Sequence, residues 1–247
     1  MVNSKTQLTN NEIYHVIVRA VGNSVVFKNK NDYYRGIFSI YEFNNANPVE
    51  IWKRRRDRIV EKRREKFGGG PTSPEPRGDA HIDERNKFIE ILAFCFMPNH
   101  IHLLVRQLRD NGTSKFMQKV GTGYAVYFNK KYKRKGHLFN RFKAIHIADD
   151  NQLITVFNYI HANPISLIEP GWKEKGITDS RKVIKFLENE YRWSSLFDYL
   201  GKNNFASVTS RDFLLELMGG EGGCRTAVND WIKHKKVFGD FFFAGFE

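Results

Sequence analysis

Hydrophobic positions along the chain recur with two periods, and the order of those periods predicts a fold. Residues 12–21, Glu-Ile-Tyr-His-Val-Ile-Val-Arg-Ala-Val, are β-branched and aromatic and predict a strand. Tyr34, Ile37, Phe38 and Tyr41 fall at helical spacing and predict a helix to about Phe43, capped by Asn31-Asp32. Residues 88–96 predict a second strand, Met97-Pro98-Asn99 a turn, and His100 to Arg106 a third strand that closes a hairpin. Phe116, Val120, Tyr124 and Tyr127-Phe128 mark a helix over 113–132, with Thr113 or Ser114 as its cap. Ala144 to Ala148 predict a short fourth strand. A helix over about 150–163 follows, capped by Asp149-Asp150 and stopped at Asn163-Pro164. The order β-α-β-β-α-β-α is the split ferredoxin-like pattern with an added helix, so the predicted class is α+β with an antiparallel sheet.

The pattern breaks once. Residues 52–66 hold nine basic and three acidic side chains, and residues 68–79, Gly-Gly-Gly-Pro-Thr-Ser-Pro-Glu-Pro-Arg-Gly-Asp, sustain neither helix nor strand. Positions 50–85 therefore read as a basic, partly flexible insertion within one fold. The expected organisation is a catalytic domain over 1–200 and a C-terminal helical extension over 201–247, with helical stretches near 210–218 and 224–236.

Charge changes the picture more than composition does. Forty Lys and Arg against 27 Asp and Glu give a net charge of +13. A balance this basic points to a polyanionic partner, most often nucleic acid. Cys95 lies in an apolar run and reads as a buried small residue, and without a CxxC pair no zinc ribbon or disulfide framework is supported. No apolar leader precedes the first strand, and no apolar run reaches the ~18 residues that span a membrane. The expectation is a cytoplasmic protein, nucleoid-associated when bound to DNA, with no membrane partner.

Two segments carry candidate chemistry. In Met97-Pro-Asn-His-Ile-His-Leu-Leu-Val-Arg106, alternate strand residues share a face, so His100, His102, Leu104 and Arg106 point one way and Ile101, Leu103 and Val105 the other. Imidazoles at i and i+2 are spaced to grip one ion, near a strand end within reach of solvent. Two solvent-facing histidines on a half-buried strand would give the same letters. In Asn158-Tyr-Ile-His-Ala-Asn-Pro164, Tyr159 and Asn163 are one helical turn apart. Tyr159 falls at the edge of the apolar stripe, the usual place for a boundary tyrosine with a wet hydroxyl. Asn163 offers an amide oxygen, and two nitrogens with one oxygen suit magnesium or manganese. Tyr124 and Tyr127 lie on an apolar stripe and read as packing. His161, two residues on, lies ~200° around the helix from Tyr159, and His15 and His146 read as structural or DNA-facing.

These residues resemble the HUH single-tyrosine transposases. His100-Ile-His102 matches the family's histidine–hydrophobic–histidine motif. Met-Pro-Asn-His-Ile-His-Leu-Leu, then Tyr-Ile-His-Ala-Asn-Pro and Tyr191-Arg-Trp-Ser-Ser, look most like the REP-associated tyrosine transposases, over about Ile13 to Ser195. The resemblance implies Tyr159 as nucleophile, and His100 and His102 as ligands of a divalent Mg2+ or Mn2+ ion. Asn163 stands where the wider family places a polar third ligand, often Gln. It implies metal-dependent nicking and strand transfer on single-stranded DNA that forms a hairpin, through a 5′-phosphotyrosine, by a monomer or a homodimer. The alternative is a retired relative that holds hairpin DNA or RNA without cutting.

The expected DNA contact is the run 130–143. It carries Lys130, Lys131, Lys133, Arg134, Lys135, Arg141 and Lys143 with no intervening acid, interleaved with rings such as Phe139. Cations for phosphates and rings for bases are what a single strand needs, although a solvated surface loop can carry the same charges.

Overall fold

Alternation along one strand sets the architecture. The computed structural model describes residues 8–49, 56, 83 and 85–234. In it β3 (His100–Gln107) lies inside an antiparallel sheet between β1 (Ile13–Arg19) and β2 (Ile89–Met97), and β4 (Lys143–His146) pairs with the far side of β1. The strand order β2-β3-β1-β4, with one helix after β1 and another after β3, is ferredoxin-like. The class and the element order agree with the sequence pattern. The basic run at 52–66 and the Gly/Pro-rich stretch at 68–79 lie outside the described residues, apart from Arg56.

Both faces of the sheet are covered. Val16, Val18, Ile101, Leu103 and Val105 pack under α1 (Lys30–Glu42) and α2 (Gly112–Lys131). Leu104, Cys95 and Met97 pack under α3 (Asp150–Ala162) through Leu153, Val156, Phe157 and Ile160. The histidine face of β3 is therefore interior, where the sequence suggested a half-buried strand open to solvent. A register shift between Ile91 and Ala93 places the adjacent Leu92 and Ala93 in the same core.

After α3 come four-residue α4 (Trp172–Lys175), α5 (Ser180–Asn189), short α6 (Leu196–Tyr199), α7 (Asp212–Met218) and α8 (Gly220–His234). Cys224, Val228, Trp231 and Ile232 of α8 belong to the apolar cluster that contains Phe157 and Ile160. No helix among the described residues is long and apolar enough to cross a membrane.

The outer edge of β2 is closed by the segment that begins at Tyr191. Phe96 N–H donates to Trp193 C=O at 2.9 Å, Ser195 N–H to Phe94 C=O at 3.0 Å, and Phe94 N–H to Ser195 Oγ at 3.0 Å. The hydroxyl of Tyr191 donates to the carbonyl of Phe96, and that of Tyr199 to the carbonyl of Leu92 at 2.6 Å. A free edge is a template for wrong pairing, and this cover removes it. His161 donates to or accepts from Ser195 Oγ at 2.8 Å and is fully buried, which ties α3 to the same edge.

Helix starts differ in detail from the sequence expectation. Asn29, not Asn31-Asp32, caps α1, its side chain accepting from the N–H groups of Asn31 and Asp32. Asn111, in the left-handed region at φ 58°, precedes α2, and Thr113 is buried inside its first turn. Asp32 is thereby released for another task. Its fully buried carboxylate accepts from Lys131 Nζ at 2.5 Å, Tyr132 Oη at 2.7 Å, Tyr127 Oη at 2.9 Å and Lys28 N at 3.0 Å. Burial acts to raise its pKa, but the bonds from Lys131, Tyr132, Tyr127 and Lys28 outweigh that and hold it below the usual carboxylate value. This cluster pins the C-terminal end of α2, where the basic run begins, onto the start of α1.

Replacing Asp32 by Ala is expected to cost about 3 kcal/mol, because it strands a cation and two hydroxyls. Urea unfolding of both forms measures this. The folded pKa is depressed, so the contribution is complete above the unfolded value of about 3.9 and is lost as pH falls through the folded value. The gap between wild type and variant should be constant above about pH 5 and narrow in more acidic solution.

Candidate active site

The pairing register brings together polar side chains that are far apart in sequence. His102 pairs with Ile17 on β1, His100 pairs with Arg19, and Leu104 pairs with His15. Antiparallel partners share a face, so Arg19, His15, His100 and His102 all lie on the side covered by α3. His15 and His102 are fully buried. Their rings stack at 5.2 Å between centroids, and His15 Nε2 meets His102 Nδ1 at 3.0 Å. His100 is half-buried, its ring 4.8 Å from that of His102 and nearly perpendicular to it.

The hydrogen bonds sort the ring nitrogens. His100 Nδ1 is 2.6 Å from Asn99 Oδ1, an acceptor, so Nδ1 carries the proton and Nε2 keeps a lone pair. His102 Nδ1 is occupied by His15, while its Nε2 is buried without a hydrogen-bond partner among the described residues. Burial depresses the pKa of His15 to about 3. Burial, then the charges of His100, His15, Arg19 and Lys173, lower that of His102 well below its usual value. Both rings are therefore neutral at physiological pH, the protonation state in which imidazole binds a metal.

Tyr159 completes the cluster from α3. It is 1% exposed, a correction to the wet hydroxyl expected from the edge of the helix stripe. Its ring stands edge-on to His102 at 5.6 Å and to His15 at 5.9 Å. Its hydroxyl accepts from Lys173 Nζ at 3.1 Å. Asn163 is buried, and its amide nitrogen donates to the carbonyl of Tyr159 at 2.8 Å, closing the last turn of α3. That bond leaves the amide oxygen as the group Asn163 can offer a ligand.

Three residues of this cluster were not singled out for the site by sequence reasoning. His15 was read as structural or DNA-facing, and Arg19 and Lys173 carried no signal. The clue for His15 was a polar side chain in an otherwise apolar strand, on the face shared by Ile13 and Ile17. Tyr124 and Tyr127 are packing residues, as their stripe indicated: Tyr124 is buried with its hydroxyl on Val26 C=O at 2.7 Å, and Tyr127 serves Asp32. His146 is exposed and bonds Glu12 at 2.6 Å.

The basic run divides. Lys131 is committed to Asp32, and Arg134 donates to Asn129, Gly136 and His137 within its own turn. Lys130, Lys133, Lys135, Arg141 and Lys143 are exposed. Phe139 is half-buried, bridging to Ala20 and packing near Tyr124. Lys143 pairs with Ile17 from the side opposite His102, which puts Lys143, Ile17 and His102 in one row on the α3 face.

No group of three or more His, Cys, Asp or Glu among the described residues forms a metal cluster. The candidate donors are instead the imidazoles of His100 and His102, with the amide of Asn163 one turn past Tyr159. A buried, unpartnered His102 Nε2, in a ring 4.8 Å from that of His100, fits a divalent ion, since an orphaned buried polar atom is costly unless something binds it.

No curated protein matches the sequence. Among solved structures, a REP-associated tyrosine transposase bound to a REP hairpin is similar at 12% identity and a TM-score of 0.46, over 86% of this chain and 93% of that one. A bacterial tRNA(His) guanylyltransferase-like protein in complex with GTP is similar at 11% identity and a TM-score of 0.37, over 69% and 75%. Residues 49–163, which include His100, His102, Tyr159 and Asn163, match the family described as transposase, IS200 like.

Proposed function

We propose that this protein nicks single-stranded DNA and transfers the cut strand, with Tyr159 as the nucleophile. One observation carries the reading: the ring of Tyr159 stands edge-on to that of His102, itself 4.8 Å from the ring of His100, which supports one site for the attacking oxygen and the two proposed ligands. The proposed ligands of a Mg2+ or Mn2+ ion are Nε2 of His100 and Nε2 of His102, with the amide oxygen of Asn163 as third donor. Such an ion, when bound, neutralises a non-bridging oxygen of the scissile phosphate and orients it for in-line displacement.

The protein's own groups do the rest. Asn99 favours the tautomer of His100 that presents Nε2, and His15 holds the ring of His102 through Nδ1. Oη of Tyr159 forms the bond to phosphorus as the bond to the 3′ oxygen breaks, giving a 5′-phosphotyrosine and a free 3′-OH. The link conserves the energy of the phosphodiester, so a second 3′-OH can reverse the step. Lys143, in the row of His102, and the exposed Lys130, Lys133, Lys135 and Arg141 supply cations for the strand that enters, with Arg134, Lys131 and Phe139 shaping the segment. The substrate class, hairpin-forming single-stranded DNA, follows from the motifs shared with REP-associated tyrosine transposases.

Incubation with hairpin-bearing single-stranded DNA and manganese should give a protein–DNA adduct that survives a denaturing gel. Tyr159→Phe should abolish it while leaving DNA binding intact. Cleavage that persists in the variant would sink the tyrosine mechanism, and tight binding without cleavage under any divalent ion would identify a retired binding module.

The histidine pair makes a separate prediction. Replacing His15 by Phe keeps an aromatic ring there but removes the nitrogen that meets His102 Nδ1. Manganese affinity, measured by titration calorimetry without DNA, should fall about 10- to 100-fold. An unchanged affinity would mean that His15 only packs.

A further inference from the structure

Lys173 touches the hydroxyl of Tyr159 from a separate element of the fold. It sits on the four-residue α4, flanked by Gly171 at φ 81° and Gly176 at φ 79°, a conformation that side chains with a Cβ rarely adopt. Trp172, 2% exposed, anchors the turn against Trp231, with ring centroids 5.6 Å apart. The chain thus doubles back after Asn163-Pro164, and Lys173 lies over the end of Tyr159. Its Nζ is 3.1 Å from Oη and 5.1 Å from the ring centroid.

We propose that Lys173 is a catalytic residue that carries the positive charge against the attacking oxygen of Tyr159. The inference rests on Tyr159 being the nucleophile. A phenol attacks phosphorus as its phenolate, and this one is 1% exposed beside two fully buried histidines. A negative charge formed where little water reaches needs a fixed counter-charge, because the local dielectric is low. Lys173 reaches the oxygen itself. Its ammonium keeps all its protons through the step, with one N–H directed at Oη. The phenolic proton goes to water, Oη bonds to phosphorus, the bond from phosphorus to the 3′ oxygen breaks, and that oxygen takes a proton from water. Nothing is oxidised or reduced.

A purely structural lysine predicts different kinetics. The rate of adduct formation should be measured by rapid quench under single-turnover conditions, on hairpin-bearing single-stranded DNA with saturating manganese. Lys173→Met keeps the aliphatic stem and should slow the adduct step about 100-fold, while the DNA concentration giving half-maximal rate changes less than about threefold. Lys173→Arg should recover part of the rate. Lys173→Cys should be as slow as the Met variant and should regain activity after alkylation with 2-bromoethylamine, which rebuilds a side-chain amine. Cys95 and Cys224 are both buried, so the reagent is directed to the new thiol. A Met variant within threefold of wild type, or a Cys variant that alkylation does not rescue, overturns the proposal. Tyr159→Phe in parallel separates the two readings. Its loss of adduct beside a fully active Lys173→Met rejects the lysine alone, whereas adduct in Tyr159→Phe rejects the tyrosine reading beneath it.

Discussion

The buried imidazole of His102 is the constraint around which the site is organised. It projects from a strand flanked on both sides, toward a face closed by α3, and no water reaches it. A polar ring there must be satisfied or it costs stability. His15 satisfies one nitrogen across the strand pair. The other has no hydrogen-bond partner among the described residues. The neutral state imposed by burial, the stacking of the two rings and the edge-on approach of Tyr159 follow from the same placement.

Strand order and helix docking divide the labour. The face under α1 and α2 is a conventional apolar core of Val, Ile, Leu and Phe. Gly36 on α1 and Gly123 on α2 allow close approach there, since a Cβ would press on Phe96 and Phe27 in one case and on Phe43 in the other. The opposite face mixes core and chemistry. Leu104, Cys95 and Met97 pack conventionally, while the neighbouring row of Lys143, Ile17 and His102 runs from an exposed cation to a buried ring. The Asp32 cluster anchors the start of the basic run, and the bridge from Phe139 to Ala20 anchors its end beside β1, so its exposed cations are presented from fixed points.

The alternation of β3 was legible because period two is written in the letters, and it placed His100, His102 and Leu104 on one side correctly. The helix carrying Tyr159 was equally legible from its stripe and from Asn163-Pro164. Exposure was not. A strand with histidines on one face reads the same whether that face meets water or another layer, and only the docking of α3 decides between them. The capping residues shifted for a related reason. Asp32 has a capping side chain, but a buried partner set from α2 outcompetes the local bond, and Asn29 caps in its place.

The sequence by itself determined the order of elements, the i, i+2 histidine pair, the position of the tyrosine on its helix and the basic character of 130–143. These are local properties, set by periods of two and 3.6 residues and by side-chain chemistry. The tertiary structure alone decided which polar groups share a buried space. His15 joins His102 because β1 inserts beside β3 in the sheet, a pairing 87 residues apart in the chain. Lys173 reaches Tyr159 because the chain folds back through glycines in left-handed geometry onto a tryptophan anchor. Neither contact has a local signature, since each depends on long-range packing that fixes two elements at once.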